Sequence, residues 1–268
     1  MNKVAANFTG SIPEFYESGL VPVIFEDYAR EIAALVAKRK PEKVLELAAG
    51  TGVVTRLLRD RLSRKCEIIA SDLNEPMLEV ARKKFKSGES VSFQSIDAMS
   101  IPLDDNSVDV VACQFGVMFF PDKVESYCEA LRVLKPGGRY IFNAWDSHEH
   151  NPFAGIAQSL VEKAFPDDPP GFYKVPFHYH DVREMKREMK EAGFSSVKVQ
   201  RRKIRKTIPS IAAFAQGLVH GNPLSEEIRA RSSDPDAMVD VIRSAFEAAF
   251  GSDPAKMPLS AFFVTGQK

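Results

Sequence analysis

A short apolar run that leads into an acid and two glycines is the part of the sequence best suited to bind a ligand. The stretch Glu46-Leu47-Ala48-Ala49-Gly50-Thr51-Gly52 lies where the first predicted strand should become a helix. Glycines in such a turn let the backbone approach a ligand without a Cβ in the way. Free N–H groups at the start of the helix would favour a negative group. We expect the stretch to bind an amino acid carboxylate or a nucleotide diphosphate, with a plain tight turn as the alternative.

A carboxylate closes the second predicted strand. Asp72 ends the run Ile68-Ile69-Ala70-Ser71-Asp72, where it suits the two ribose hydroxyls of an adenosine cofactor. The competing role is a helix cap, but Asn74 already precedes Glu75 and Pro76 as a capping candidate. Asp72 is therefore predicted to hold a ribose, whichever adenosine cofactor is bound.

Polar residues also follow the third and fourth predicted strands. Asp97 could accept a hydrogen bond from an adenine amino group, with Ala98 and Met99 against the ring, although a solvated loop aspartate fits the pattern equally well. Gln114 opens the stretch that runs to Asp122, and strand-end positions of this kind usually face the reacting groups.

The glycine pattern separates two classes of cofactor. A dinucleotide fingerprint G-x-G-x-x-G that starts at Gly50 requires a third glycine at position 55, where the sequence has Thr55. The sequence therefore departs from the nicotinamide-binding pattern.

The candidate general bases have no clear partner in the sequence. They are Tyr16, His148, His150, His178 and His180, of which Tyr16, His178 and His180 are kept as catalytic candidates. The last two directly precede Asp181, a predicted helix N-cap, so a structural role is equally consistent. His148 and His150 with Glu149 lack a second ligand cluster, and we expect no metal site.

Alternating strand and helix patterns must position these residues. Strands are predicted at residues 44–47, 68–71, 91–96, 108–112 and 140–144, with helices at 53–62, 76–85 and 124–134 between them. Right-handed crossovers then give an α/β, Rossmann-like, doubly wound and mostly parallel sheet, with ligands beyond the carboxyl ends of the strands. Two late strands at residues 197–204 and 259–264 bring the expected number to seven.

Helices flank this sheet at both ends of the sequence. Ser11 and Glu14 predict a capping box at the start of a first helix, and a second helix should end before Pro41. Prolines and aromatics after Trp145 suggest an irregular helical cap over the carboxyl edge. We expect one domain over residues 1–268, with N-terminal helices in 1–40 and cap insertions at 146–196 and 205–257.

Composition limits the partners. Thirty-six basic and thirty-six acidic residues cancel, so neither nucleic acid nor an anionic lipid surface is an expected partner. No run of about 18 apolar residues or secretory leader is evident, and Cys66, Cys113 and Cys128 form no C-x-x-C pair, so we expect a cytoplasmic location without a membrane span. The basic run Arg201, Arg202, Lys203, Arg205 and Lys206 is predicted to be a solvated strand face.

The stretch from residue 40 to 145 resembles class I methyltransferases, in particular the group that contains ubiquinone and menaquinone biosynthesis methyltransferases. Glu46 to Gly52 looks like their first motif, followed by Asp72, Ile96-Asp97-Ala98 and Leu134-Lys135-Pro136-Gly137-Gly138 in the expected order. Glu46 stands where the motif often has aspartate, and Ala48 where it often has glycine, so Ala48 must adopt a backbone shape that glycine adopts more freely.

The resemblance implies S-adenosylmethionine as cofactor and S-adenosylhomocysteine as product. It places Gly50 and Gly52 along the methionine part, Asp72 on the ribose, Asp97 at the adenine and Gln114 beside the sulfonium. The predicted cofactor contacts are Glu46, Ala48, Gly50, Thr51, Gly52, Asp72, Leu73, Met77, Asp97, Ala98, Gln114 and Phe115. The predicted substrate contacts are Tyr16, Phe119, Trp145, Tyr173 and Phe177.

The reaction then expected is methyl transfer to an oxygen, nitrogen or carbon nucleophile of a small molecule. It is an in-line displacement in which the enzyme chiefly orients the reactants. Such orientation lowers the activation barrier by about 7 to 11 kcal/mol. The alternatives are a nicotinamide-dependent oxidoreductase and a cofactor-binding module without turnover. The expected assembly is a monomer or a homodimer.

Overall fold

Seven strands form one sheet in the computed structural model, which describes residues 7–268. The strands are β1 (Lys43–Leu47), β2 (Glu67–Asp72), β3 (Val91–Ser95), β4 (Val108–Gln114), β5 (Leu134–Trp145), β6 (Ser196–Ile208) and β7 (Ala255–Gln267). Their order is β3-β2-β1-β4-β5-β7-β6, in which β7 is antiparallel to both of its neighbours and the other pairs are parallel. The predicted fold class is confirmed.

Helices cover the sheet and extend beyond it. They are α1 (Ile12–Phe15), a π-helix (Tyr16–Phe25), α2 (Glu26–Ala37), α3 (Val53–Arg61), α4 (Glu75–Arg82), α5 (Lys123–Val133), α6 (Pro152–Ala164), α7 (Lys174–His178), α8 (Val182–Glu191), α9 (Ile211–His220), α10 (Leu224–Arg229) and α11 (Pro235–Phe250). Within residues 7–268, none of the helices has the length and apolar character that crossing a bilayer requires.

The central strands are almost wholly apolar because helices cover both faces of the sheet. Val44, Leu45 and Leu47 of β1 and the middle of β4 are fully buried. β1 lies between β2 and β4, so the order of the strands reverses on either side of it. The crevice at this reversal is where ligands bind in open α/β sheets.

The last two strands are longer than the sequence pattern indicated. β6 and β7 pair over thirteen consecutive positions, from Ser196 with Gln267 to Ile208 with Ala255. Charged residues interrupt the apolar pattern of β6, so the sequence pattern did not indicate the full length of this strand. Between β5 and β6 lie α6 to α8, and between β6 and β7 lie α9 to α11, in the segments predicted as the two cap insertions.

The N-terminal helices differ from the prediction in two respects. The Ser11 side chain makes no capping hydrogen bond, so the predicted capping box does not form; Glu14 instead donates its N–H to the Ser11 carbonyl. The chain also continues from α1 through the π-helix into α2 without a break, although Pro22 lies inside the π-helix. The first six residues of the predicted 1–40 segment lie outside the described residues.

Two glycines let the π-helix lie directly against α9. A Cβ added at Gly19 would be 2.7 Å from the Gly217 Cα atom and 2.9 Å from the Ala213 carbonyl oxygen. Such distances do not occur for real Cβ atoms, so the close contact depends on glycine at both positions. It fixes the π-helix, and with it Tyr16, against the second cap insertion.

This contact predicts that Gly19→Ala destabilises the fold. Overpacking of this kind costs about 1–3 kcal/mol, because backbone atoms cannot move aside as a flexible side chain can. Urea unfolding of both variants measures the loss, with Gly171→Ala as the control because a Cβ there would contact nothing within 4 Å. Equal unfolding midpoints for the two variants would contradict the prediction.

Candidate functional site

A cavity of about 820 Å³ opens beyond the carboxyl ends of β1, β2 and β4. This volume lies toward the upper end of the range of about 300–1,000 Å³ that is typical of ligand sites. One half of the wall comes from the strand ends and their loops, including Ala48, Gly50, Asp72 and Gln114. The other half comes from the N-terminal segment and the cap insertions. We call these the strand half and the cap half.

Asp72 joins the first two strand-end loops of the strand half. One carboxylate oxygen, Oδ2, accepts a hydrogen bond from Gly50 N at 2.9 Å. The other, Oδ1, accepts from Asn74 N at 2.8 Å and from Asn74 Nδ2 at 3.3 Å. Asp72 is 7% exposed, and burial raises its pKa, while the hydrogen bonds from Asn74 and Gly50 oppose part of that rise. Its carboxylate is thus held rigidly on the cavity wall.

The glycine loop has the backbone shape that its sequence indicated. Ala48 has φ +51° and Gly50 has φ +56°, both in the left-handed region. A side chain in this region costs about 1–2 kcal/mol, which Ala48 bears and glycine would not. The predicted strain at Ala48 is therefore present in the structure.

The backbone N–H groups of the loop are used differently from the prediction. Ala49 N donates to the Ser71 carbonyl, Gly50 N to Asp72 and Gly52 N to the Ala49 carbonyl. These three N–H groups are therefore engaged within the protein and do not point freely at a ligand carboxylate. Ala49 and Gly50 donate to residues of β2, which the local sequence could not reveal, and Gly52 donates within the loop.

A close approach between two loops explains how Ala48 is accommodated. A Cβ at Gly116 would be 2.5 Å from the Ala48 Cβ and 2.7 Å from Cys113 Sγ. Gly116, just after β4, therefore leaves room for the methyl group of Ala48. Both residues line the cavity, so this contact brings the loops after β1 and β4 together beneath a ligand.

Three buried polar atoms below the glycine loop have no hydrogen-bond partner among residues 7–268. They are Glu46 Oε2, Thr51 Oγ1 and Thr55 Oγ1. Burial raises the pKa of Glu46 to about 8. Glu46, Thr51 and Gly52, three of the predicted cofactor contacts, do not line the cavity. Glu46 is therefore a buried acid next to the glycine loop that does not itself line the cavity.

The remaining predicted cofactor contacts lie together on the cavity wall. They are Leu73, Met77, Asp97, Ala98, Gln114 and Phe115. Asp97 is exposed and accepts a hydrogen bond from Met99 N at 3.0 Å, whereas Ala98 is buried. Leu73 remains 60% exposed although it is a large apolar residue. The Gln114 side chain makes two long hydrogen bonds with described residues, from its Nε2 to the Phe25 carbonyl at 3.4 Å and to its Oε1 from Asn143 Nδ2 at 3.5 Å.

The cap half is built from aromatic rings. Trp145 stacks on Phe115, with ring centroids 4.0 Å apart and planes at 11°, and on Phe177 at 5.7 Å. Tyr16 stacks on Phe25 at 4.9 Å. All five predicted substrate contacts line the cavity: Tyr16, Phe119, Trp145, Tyr173 and Phe177. Phe153, which the sequence also offered as part of an aromatic wall, lines the cavity too, whereas the sequence reasoning did not assign Phe8 and Phe172 to the substrate.

Most polar groups of the cap half are already paired with each other. The Tyr173 hydroxyl donates to the Leu218 carbonyl at 2.6 Å, and Asn222 Nδ2 donates to the same carbonyl at 2.7 Å. Asn222 Oδ1 accepts from Leu224 N. The Tyr16 hydroxyl, in contrast, makes no hydrogen bond to any described residue. Burial, and then the nearby Asp72 charge, raises the pKa of Tyr16, so its hydroxyl keeps its proton.

The two histidine candidates do not reach the cavity. His178 ends α7 and is exposed, and His180 Nδ1 lies 2.8 Å from the Phe177 carbonyl. Neither lines the cavity wall, nor do His148 and His150. Asp181 caps α8 by accepting a hydrogen bond from Arg183 N, as its position predicted. His178 therefore belongs to the end of α7 and His180 to the segment before α8, and of the three catalytic candidates Tyr16 alone lines the cavity.

The basic run on β6 is not simply a solvated face, which corrects the prediction. Arg201 pairs with the buried Asp146, Arg202 with Glu31 and Lys206 with Asp27. The last two acids lie on α2, so the run fastens this helix to the edge of the sheet. A strand pattern alone cannot show that a helix far away in the sequence supplies the opposite charges.

Comparison with known proteins agrees with this arrangement. A family model described as a methyltransferase domain matches residues 45–142. The chain is 35% identical to a demethylmenaquinone methyltransferase of Thermus thermophilus over 140 residues, which are 52% of this chain and 63% of that protein. It is 32% identical to a demethylmenaquinone methyltransferase of Staphylococcus aureus over 176 residues, which are 60% of this chain and 71% of that protein.

A solved structure extends the likeness to nearly the whole chain. Phosphoethanolamine N-methyltransferase 2 of Haemonchus contortus, in complex with S-adenosyl-L-methionine, superposes with a TM-score of 0.57 over 96% of this chain and 56% of that one, at 16% identity. At this identity the likeness shows a shared fold.

The buried acid below the loop predicts a specific pH dependence of stability. A carboxyl group with a pKa of about 8 in the folded chain and of about 4.3 when unfolded binds more protons in the folded state between those values. Its contribution to stability is therefore present below pH 4.3 and is lost as the pH rises to about 8, by up to about 1.4 kcal/mol for each pH unit. Glu46→Gln should remove this decline. Urea unfolding at several pH values without ligand tests it, and parallel pH profiles of the two proteins would contradict it.

Proposed function

Since the chain belongs to the class I S-adenosylmethionine-dependent methyltransferase family, we propose that it methylates a neutral, planar and largely apolar small molecule bound in the cap half of the cavity. The observation that carries the proposal is that the rigid Asp72 carboxylate and a chamber of aromatic rings line the same cavity. S-adenosylmethionine supplies a methyl group on a positively charged sulfur, so the leaving group needs no proton.

The residues of the strand half fit this cofactor. Asp72 offers carboxylate oxygens at a fixed place for two ribose hydroxyls, and Gly50 leaves space above the loop, since a Cβ there would meet only Met77 Cε at 3.5 Å. Glu46 directly precedes the loop and its Oε2 has no hydrogen-bond partner among the described residues, and we assign this side to the amino acid end of the cofactor. We assign Asp97 and Ala98 to the adenine and Gln114 to the neighbourhood of the sulfonium.

The chemistry of the cap half indicates the acceptor class. No lysine, arginine or histidine among the described residues lines the cavity, and its two wall aspartates belong to the strand half. A charged acceptor would have to move from water into an apolar chamber that offers it no counter-ion, and this desolvation costs free energy. Planar apolar rings, in contrast, can stack on the aromatic walls. The two relatives are named for demethylmenaquinone, and a quinol-like ring of that kind matches this chamber.

Tyr16 is the residue proposed to orient the acceptor. Its hydroxyl keeps its proton and has no partner among the described residues, so it can donate a hydrogen bond to an oxygen on the acceptor ring. A raised pKa makes it a poor general base at neutral pH. Tyr16 therefore positions the acceptor ring, and the orientation of the two reactants supplies most of the rate enhancement.

The ribose assignment predicts that Asp72→Asn binds S-adenosylmethionine at least about tenfold more weakly. The amide cannot accept from both hydroxyls as a carboxylate does, and hydrogen bonds to charged groups contribute about 1.5–3 kcal/mol each. Isothermal titration calorimetry measures the affinity. Asp60→Asn, on the exposed face of α3, is the matched control. Equal affinities of the two variants would remove Asp72 from the ribose.

The acceptor assignment predicts transfer of labelled methyl groups to neutral hydroxylated aromatic rings and not to amines or carboxylates of similar size. A panel of such compounds with labelled S-adenosylmethionine measures it. Tyr16→Phe should raise the KM for a hydroxylated ring by about tenfold, the effect of one lost hydrogen bond to a buried group. Preferred methylation of charged compounds would refute the acceptor class, and oxidation of a compound with nicotinamide cofactor would refute the reaction.

A further inference from the structure

A buried acid outside the cavity holds the part of the chain that carries two of the cavity's aromatic rings. Residues 168–173, which we call the wall segment, lie in the first cap insertion and end with Phe172 and Tyr173, which both line the cavity. Glu227 of α10, in the second cap insertion, is 7% exposed and does not line the cavity. Its Oε2 accepts hydrogen bonds from Gly171 N at 2.9 Å and from Phe172 N at 3.2 Å.

The sequence of the wall segment explains why an acid pairs with these two donors. Pro169-Pro170 has no N–H group, so Gly171 and Phe172 carry the first backbone donors after the proline pair. The short helix α7 begins only after them, and a helix offers no carbonyl to the N–H groups that precede it. The Glu227 carboxylate satisfies both donors, with stronger hydrogen bonds than a neutral acceptor would form.

The second cap insertion holds the wall segment at two further places. Arg231, just after α10, donates from Nε to the Asp168 carbonyl at 2.6 Å, and its Nη2 lies 3.0 Å from Asp168 Oδ2. The same guanidinium donates from Nη1 to the Glu227 carbonyl at 2.6 Å, which ties the two contacts together. The Tyr173 hydroxyl, at the other end of the segment, donates to the Leu218 carbonyl of α9. Glu227 is thus the middle of three attachments.

The wall segment places its rings against another aromatic residue of the cap half. Phe172 stacks on Phe119, with ring centroids 6.3 Å apart and planes at 23°, and meets Tyr173 edge-on at 5.4 Å. A ring can contact an acceptor closely only where its own backbone is fixed, so release of the segment would move both rings. The hydrogen bonds that hold Asp72 and the glycine loop do not involve the segment. Such a release should therefore affect the cap half and leave the strand half in place.

We propose that Glu227 is a positioning residue for the methyl acceptor: through the wall segment, its carboxylate sets where Phe172 and Tyr173 stand against the acceptor ring. This inference rests on the proposed function of the cavity as the methyl-transfer site. Glu227 acts through the backbone of the wall segment and lies outside the cavity, so the assignment concerns the acceptor and not the cofactor.

Steady-state kinetics of the full chain with S-adenosylmethionine and naphthohydroquinone, a neutral quinol-like ring, test the assignment. Glu227→Ala should lower kcat/KM for this acceptor by about tenfold, because two backbone donors lose their acceptor and the wall loosens. The Kd of S-adenosylhomocysteine, measured by calorimetry, should change by less than about twofold. Glu227→Gln keeps an oxygen acceptor at the same place and should restore kcat/KM to within about threefold of the unaltered chain.

Amide hydrogen exchange tests the attachment without any acceptor. The N–H groups of Gly171 and Phe172 should exchange at least about tenfold faster in Glu227→Ala than in the unaltered chain, because exchange requires the hydrogen bond to open. Arg231→Ala, a second variant in case Glu227→Ala does not fold, should lower kcat/KM for the acceptor by about threefold and leave the Kd of S-adenosylhomocysteine unchanged.

Asp109→Ala is the matched control for lost stability. Asp109 Oδ2 also accepts two consecutive backbone N–H groups, from Glu42 and Lys43 at 2.8 Å each, at the start of β1 and β4, the edge of the sheet opposite the cavity. This variant should lose stability in urea and keep kcat/KM for the acceptor.

The assignment has distinct ways to fail. An equal loss of acceptor kcat/KM and of S-adenosylhomocysteine affinity in Glu227→Ala would indicate general loosening and overturn it. Unchanged kcat/KM in Glu227→Ala and Arg231→Ala would overturn it too, as would a Glu227→Gln variant as impaired as Glu227→Ala. Failure of the unaltered chain to bind S-adenosylhomocysteine or to methylate the ring would instead refute the proposed function, and the exchange rates would still decide whether Glu227 holds the wall segment.

Discussion

The hydrogen bond between Asp72 Oδ2 and Gly50 N is the interaction on which the rest of the site depends. It joins the end of β2 to the loop after β1, and the other oxygen of the same carboxylate fixes the start of α4 through Asn74. A buried carboxylate is stable only when N–H groups surround it, because burial disfavours its charge. The two loops must therefore stay in register to keep these N–H donors on the Asp72 carboxylate.

The shape of the glycine loop follows from the same constraint. Since Gly50 N must point at Asp72, the chain before it turns sharply, and Ala48 is held in the left-handed region at φ +51°. Its methyl group then projects toward Gly116, which has no Cβ to obstruct it. The departure of Ala48 from the glycine of the common motif is thus accommodated in the loop after β4, about seventy residues away. Two positions that look independent in the sequence form one packing unit.

The sheet and the strand half were predictable from the sequence for a physical reason. Strands covered on both faces read as continuous apolar runs, and the residues just after them must lie at the carboxyl edge. Asp72, Asp97 and Gln114 could therefore be placed before any coordinates were known. The acceptors of the loop N–H groups could not be predicted, because Ala49 and Gly50 donate to residues of β2 that are distant in sequence. Local patterns give positions along an element, and tertiary pairing decides which polar groups remain for a ligand.

The cap half lay further from sequence reasoning because its contacts join segments far apart in the chain. Phe8 has no periodic neighbours to mark it, yet it meets Phe119 and Phe172, and Tyr16 reaches the cavity only because the π-helix packs on α9 through Gly19. The basic residues of β6 also help to position this helical segment. Arg202 and Lys206 form ion pairs with acids on α2, which continues directly from the π-helix. Exposed ion pairs contribute little stability each, about 0–1 kcal/mol, so their effect is chiefly on where the helix lies. Under the proposed function, a chamber of aromatic rings whose polar groups are mostly paired with each other would select by shape and by the exclusion of charge. Its selectivity between acceptors that differ by a single methylene should accordingly be modest, whereas its rejection of charged molecules should be strong.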